Sequence, residues 1–138
     1  MPLRDLINEN LVSCDENALI PEVCQIMKTQ DVGAVLVIKD AKPIGIITDR
    51  DIVVRGLAEN LDLKKANVGQ LMSTSVDVVS WDMGLEDVIT LMRDKKIRRV
   101  PVVDDQGKGV GLISFGDVFG LLAKEMADLS RITPVEAA

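Results

Sequence analysis

The chain has 138 residues, 47% of them hydrophobic and 28% charged, a balance that builds a buried core of single-domain size and excludes a disordered chain. A formal net charge of −6, one tryptophan, two phenylalanines and no tyrosine argue against a nucleic-acid-binding surface, which needs a basic face or stacking aromatics; a local basic pocket for a small phosphate compound stays open. There is no histidine, so the commonest general base and every Ser-His or Cys-His arrangement are missing and no enzyme is expected.

In chain order, the first ten residues, MPLRDLINEN, include charged and amide residues where a secretion signal needs an apolar stretch. No apolar run approaches the roughly 18 residues of a membrane span. A cytoplasmic address is expected. A short lead-in strand near 11–13 comes next, and Asp15 or Asn17 is placed to cap a helix whose face carries Leu19, Val23, Ile26 and Met27. Cys24 falls on that apolar stripe and Cys14 precedes it. Two cysteines without histidine make a poor zinc set, so both are expected to be structural thiols, with no metal site. An apolar strand at 34–38, turn residues at 39–43, a second strand at 44–48 and a helix at 51–59 complete the unit. A polar linker occupies 60–67. The same order then returns: a lead-in near 76–79, a helical face of Leu85, Val88, Leu91 and Met92, strands at 100–103 and 110–114 around turn residues 104–108, and a helix at 117–126. Residues 130–138 read as a loose or partner-bound tail.

The return is a duplication. Residues 18–27, ALIPEVCQIM, lie over residues 83–92, MGLEDVITLM, at an offset of 65, and AVLVI at 34–38 lies over RVPVV at 99–103. After the turn the offset becomes 66, which sets GIITDRDIV at 45–53 over GLISFGDVF at 111–119. Leu6-Ile7 matches Leu71-Met72 in the same way. The fold class is therefore mixed α/β (α+β): two tandem β-α-β-β-α repeats packed sheet against sheet with pseudo-twofold symmetry, because one repeat alone cannot bury its sheet face. Boundaries are expected at 1–62 for the first repeat, 63–127 for linker and second repeat, and 128–138 for the tail. Such a dyad leaves two equivalent clefts between the copies, natural places for a ligand.

Both copies carry a Gly-x-x-Ser/Thr-x-x-Asp corner where the last strand enters its helix: Gly45, Thr48 and Asp51, then Gly111, Ser114 and Asp117. Ser or Thr three residues before an acid at a helix start resembles a capping box, although Glu or Gln is the usual partner, and capping alone would explain both copies. The same geometry also suits a nucleotide, since helix N–H groups and a hydroxyl meet phosphate and a carboxylate accepts ribose hydroxyls. Arg98 and Arg99 stand at the mouth of the strand 100–103, placed either for phosphate or as an ordinary solvated strand end. The first copy has Gly33-Ala34 there, so the two clefts should differ. Phosphate preference is expected on the arginine side, with Asp117 mattering more than Asp51.

The wording GIITDRDIV in one copy and RRVPVVDD…GLISFGDV in the other resembles the cystathionine-β-synthase (CBS) domain, two of which form a CBS pair or Bateman module; the resemblance spans about 3–125. It implies a stand-alone regulatory, ligand-sensing module for adenosine compounds such as AMP, ADP, ATP or S-adenosylmethionine. It further implies that Thr48, Asp51, Ser114 and Asp117 hold phosphate and ribose, that Arg98 and Arg99 meet phosphate, and that Val12 and Val78 lie near the adenine. A homodimer built through the helices, acting on a regulated partner protein, is the expected assembly, with no nucleic acid or membrane partner. The alternative is a ligand-free dimerising interaction scaffold whose corners are only helix caps.

Overall fold

A computed structural model describes residues 2–7 and 11–132. The first repeat runs through β1 (Ser13–Asp15), α1 (Ile20–Gln30), β2 (Ala34–Lys39), β3 (Lys42–Thr48) and α2 (Asp49–Asp51), which continues as a π-helical turn over Ile52–Leu57. The second runs through β4 (Val79–Ser80), α3 (Leu85–Lys95), β5 (Arg99–Val103), β6 (Gly109–Ser114) and α4 (Phe115–Ser130). Each repeat has a three-stranded sheet ordered β1-β2-β3 or β4-β5-β6, in which the lead-in pairs parallel and the hairpin antiparallel. The duplicated order of the sequence is thus the duplicated topology of the fold.

Strand alternation decides which face each residue serves. In β2, Val35 and Val37 point toward α1 and join Val23 and Ile47 in the first core. Leu36, also fully buried, points the other way, into the space that a side chain at Gly109 of β6 would need. The Gly109 N–H donates to Ala41 O at 2.8 Å, so the two sheets meet at this seam. Burying Val23, Val35, Val37 and Ile47 contributes about 1.5–3 kcal/mol each. Val88, Val100, Val102 and Ile113 form the matching second core.

The two cores are locked by an exchange. Leu3, on the 3-10 turn Leu3–Asp5, is buried in the second repeat's core; its N–H donates to Met83 O, and the Arg4 N–H to Trp81 O, each at 2.9 Å. Ala66, Val68 and Leu71 pack reciprocally into the first core, with Ile20 N donating to Ala66 O at 2.9 Å and Val68 N to Ala18 O at 2.8 Å. The residues before each lead-in strand therefore complete the opposite repeat.

Several expectations require correction. The lead-in strands begin two to three residues later than read, at Ser13 and Val79, because parallel pairing to β2 and β5 starts at Ser13 opposite Leu36 and Val79 opposite Val102. Neither Asp15 nor Asn17 caps α1; Leu19 occupies that position, a proline at the helix start (Pro21) fixes the backbone, and Asp15 instead accepts the Asn17 N–H in a local turn at 2.8 Å. Cys24, read as core, is exposed, whereas Cys14 is buried. The linker is not uniformly polar in its role, since Ala66 is buried. The last helix extends to Ser130 rather than ending near 126, and residues 133–138 of the expected tail lie outside the described residues.

Candidate functional site

Both corners form the reciprocal capping box. Thr48 N donates to Asp51 Oδ2 at 3.0 Å and Asp51 N to Thr48 Oγ1 at 3.1 Å; Ser114 N donates to Asp117 Oδ2 at 2.9 Å and Asp117 N to Ser114 Oγ at 3.1 Å. The box spends one carboxylate oxygen and leaves the other available. What happens to that second oxygen differs. Asp51 Oδ1 lies 3.8 Å from Arg55 Nε, and the Asp51 side chain is only 15% exposed. At the position matching Arg55 the second repeat has Leu121, and Asp117 has no ion-pair partner among the described residues.

The corner glycines have a shared cause. A side chain at Gly45 would stand 2.7 Å from Met72 Sδ and 2.9 Å from Ser73 O; one at Gly111 would collide with Ile7. Each strand is therefore crossed closely by the segment that leads into the opposite repeat. Ser73 is pinned there by two hydrogen bonds with Ile46, at 2.9 and 3.1 Å, and the Arg55 guanidinium donates to Leu71 O at 3.0 Å. The glycine of the motif admits the crossing segment, and that segment lines a cleft through Ile7 or Ser73.

Two clefts result. The larger, about 670 Å3, is lined by Ser114, Asp117, Arg99 and Lys124 on one side and by Ile7, Val12, Val32 and Ala34 on the other. The smaller, about 290 Å3, is lined by Thr48 and Asp51, by Ser73, Val76 and Asp77, and by Arg98 and Arg99. Six of the residues singled out in the sequence thus fall at the two corners or beside them. The arrangement of the arginines differs from the expectation: both line the Thr48–Asp51 cleft, and only Arg99 also lines the Ser114–Asp117 cleft. Arg99 pairs with Ser114 across the ladder, and its neighbour Arg98 sits with its guanidinium 5.5 Å from the centre of the Phe115 ring.

Val12 lines the larger cleft, but Val78 lines neither and is 46% exposed. Val76 takes the place beside the smaller cleft. The repeat offset of 65 sets Leu11 over Val76, a signal available in the sequence but obscured by placing the lead-in strand too early. Lys124 was also missed, and here no local signal existed, because its relevance depends on how α4 leaves the corner. Burial, followed by the nearby Asp15 and Glu22 carboxylates, pushes the Cys14 thiol up to about 11, so it stays protonated and is a poor nucleophile. Among the described residues no three His, Cys, Asp or Glu side chains are grouped to hold a metal.

The CBS domain family model matches residues 3–57 and again 68–124. Hypoxic response protein 1 of Mycobacterium tuberculosis is 31% identical over 116 residues, covering 83% of this chain and 80% of that protein. The CBS domain-containing protein YhcV of Bacillus subtilis is 34% identical over 116 residues, covering 84% and 81%. Among solved structures, the CBS domain pair of protein MJ0100 in complex with 5′-methylthioadenosine and S-adenosyl-L-methionine superposes with a TM-score of 0.79 at 26% identity, over 91% of this chain and 98% of that one. Hypoxic Response Protein I with two coordinated zinc ions gives a TM-score of 0.77 at 29% identity, over 87% and 98%.

Proposed function

The chain belongs to the CBS-domain family as a tandem pair, and on that footing we propose that it is a non-catalytic regulatory module that binds an adenosine compound between its repeats. The observation that carries the reading is the larger cleft, about 670 Å3, inside the roughly 300–1,000 Å3 range of small-molecule sites. Its walls divide by chemistry. Ile7, Val12, Val32 and Ala34 offer apolar surface for a purine face. The oxygen of Asp117 not used by the capping box accepts ribose hydroxyls. Ser114, the α4 N-terminus, Arg99 and Lys124 favour an anionic or polar substituent on the ribose. The bound adenosine compounds of the MJ0100 domain pair support the same ligand class. The Thr48–Asp51 cleft is the second, tighter position, with Asp51 already engaged by Arg55.

A regulatory module of this kind acts through a surface that another molecule can read. We place that surface on α4 and the π-helical turn, where Val53, Leu57, Phe119, Met126 and Leu129 are exposed. A groove of about 430 Å3 beside it is lined by Met92, Phe115, Val118, Phe119 and Leu122. An apolar helix face of this kind is suited to a second copy of the chain, and a homodimer is the assembly we propose. Among the described residues no helix is long and apolar enough to cross a membrane.

The test is calorimetric and thermal-shift titration with AMP, ADP, ATP and S-adenosylmethionine, alongside sedimentation analysis. Saturable binding of at least one compound, weakened more by Asp117→Ala than by Asp51→Ala, is the expected result. Failure of all four to bind would leave the ligand-free dimerising scaffold as the better account.

A further inference from the structure

The pseudo-symmetry is broken at one position in a way that ties the two clefts together. Ala34 begins β2 opposite Thr48, and Arg99 begins β5 opposite Ser114. Ala34 lines the larger cleft only, whereas Arg99 lines both. Arg99 is exposed and has no hydrogen-bond or ion-pair partner among the described residues. One uncommitted guanidinium therefore stands between two sites, and the repeat supplies no second one.

We propose that Arg99 couples the two clefts negatively, so that a phosphate-bearing adenosine compound in one weakens the binding of a second such compound in the other. The inference rests on the adenosine reading above. A guanidinium bonded to a phosphate on one side is no longer available to the other side, because its donors form one planar fork that turns as a unit. The second ligand keeps Lys124 in the larger cleft or Arg98 in the smaller, but loses one charge-assisted bond, which corresponds to about tenfold in affinity or more. A ligand without phosphate gives Arg99 nothing to choose between and is bound independently in the two clefts. The module then holds one anionic ligand firmly at a time, and charged and uncharged adenosine compounds are read differently.

The experiment is calorimetric titration of the full chain with AMP and, separately, with adenosine, for the wild type, the single-cleft variants Asp51→Ala and Asp117→Ala, and Arg99→Gln. The expected result is that the second AMP step of the wild type is at least about tenfold weaker than AMP binding to the same cleft in its single-cleft variant. Adenosine shows no such gap, and Arg99→Gln closes the AMP gap while leaving adenosine binding in place. Should Arg99→Gln fold poorly, the wild-type contrast between AMP and adenosine decides. Two AMP steps matching the single-cleft affinities would overturn the coupling while leaving the adenosine reading intact, as would AMP confined to one cleft in every protein. No binding of either compound would remove the adenosine reading and this inference with it.

Discussion

Replacing Gly45 by alanine tests the crossing of the repeats at the point where fold and cleft meet. The added methyl would stand 2.7 Å from Met72 Sδ and 2.9 Å from Ser73 O. The sulfur can swing aside, but the carbonyl belongs to a backbone held by two hydrogen bonds to Ile46. Either the methyl is accommodated by strain, at about 1–3 kcal/mol, or Ser73 withdraws and one or both bonds weaken, at about 0.5–1.5 kcal/mol each. The two routes together lead to a loss of about 0.5–3 kcal/mol in urea unfolding followed by circular dichroism. Gly120→Ala is the internal control: nothing lies within 4 Å of the new methyl and the site is inside α4, so the same assay should show a gain of about 0.5–1 kcal/mol. Because Ser73 lines the Thr48–Asp51 cleft, Gly45→Ala should also weaken any ligand held there. A Gly45→Ala protein within about 0.5 kcal/mol of wild type would refute the close crossing as the reason for the glycine.

Ala41, at φ 66° beside Asp40 at φ 50°, occupies a two-residue hairpin turn that favours glycine, so Ala41→Gly should raise stability by about 1 kcal/mol in the same unfolding assay. Leu3→Ala should cost about 2–5 kcal/mol although Leu3 lies in the first repeat's lead-in, and amide exchange should show the loss of protection concentrated in β5 and α3, not in β2 and α1. For Cys14, burial raises the folded thiol's pKa from 9.0 to about 11. A pKa raised by folding gives stability that is fully present below pH 9.0 and is lost as pH rises through about 11. Thermal unfolding from pH 8 to 11 should therefore fall more steeply for wild type than for Cys14→Ala, and a thiol reagent at about pH 8 should label Cys24 and spare Cys14.

The duplication was legible because it is written in hydrophobic spacing: Val23 and Val88, or Ile26 and Leu91, serve the same helical face in each copy, and such periodicity survives when residue identities drift. The corners were legible for a similar reason, since a capping box is a local, three-residue relation. What stayed hidden was non-local. Leu6-Ile7 and Leu71-Met72 could be matched as equivalents, yet nothing in their spacing says that each packs on the other repeat. Arg98 and Arg99 read as one basic feature, and only the fold shows that Arg98, just before β5, stands against Phe115 and lines one cleft while Arg99 lines two. Cys24 failed for the simplest reason: it lies at the edge of an apolar stripe, where the width of the buried face decides the outcome.

The clefts therefore differ through their surroundings and not through the motif that defines them. Thr48–Asp51 and Ser114–Asp117 are the same capping box to within 0.1 Å in each bond, so selection for helix stability alone would be satisfied equally by both. The differences lie one shell out. Arg55 faces Asp51 where Leu121 leaves Asp117 unpaired among the described residues, and Arg99 stands where symmetry would place the counterpart of Ala34. Neither substitution affects the cap. Both change what a carboxylate or a guanidinium can offer to a small molecule between the repeats. A scaffold that used its corners only to start helices accounts for Arg55, which also holds Leu71 O, but gives no role to the uncommitted Asp117 oxygen or to an arginine lining both clefts, which is why the binding reading accounts for more of this chain than the scaffold does.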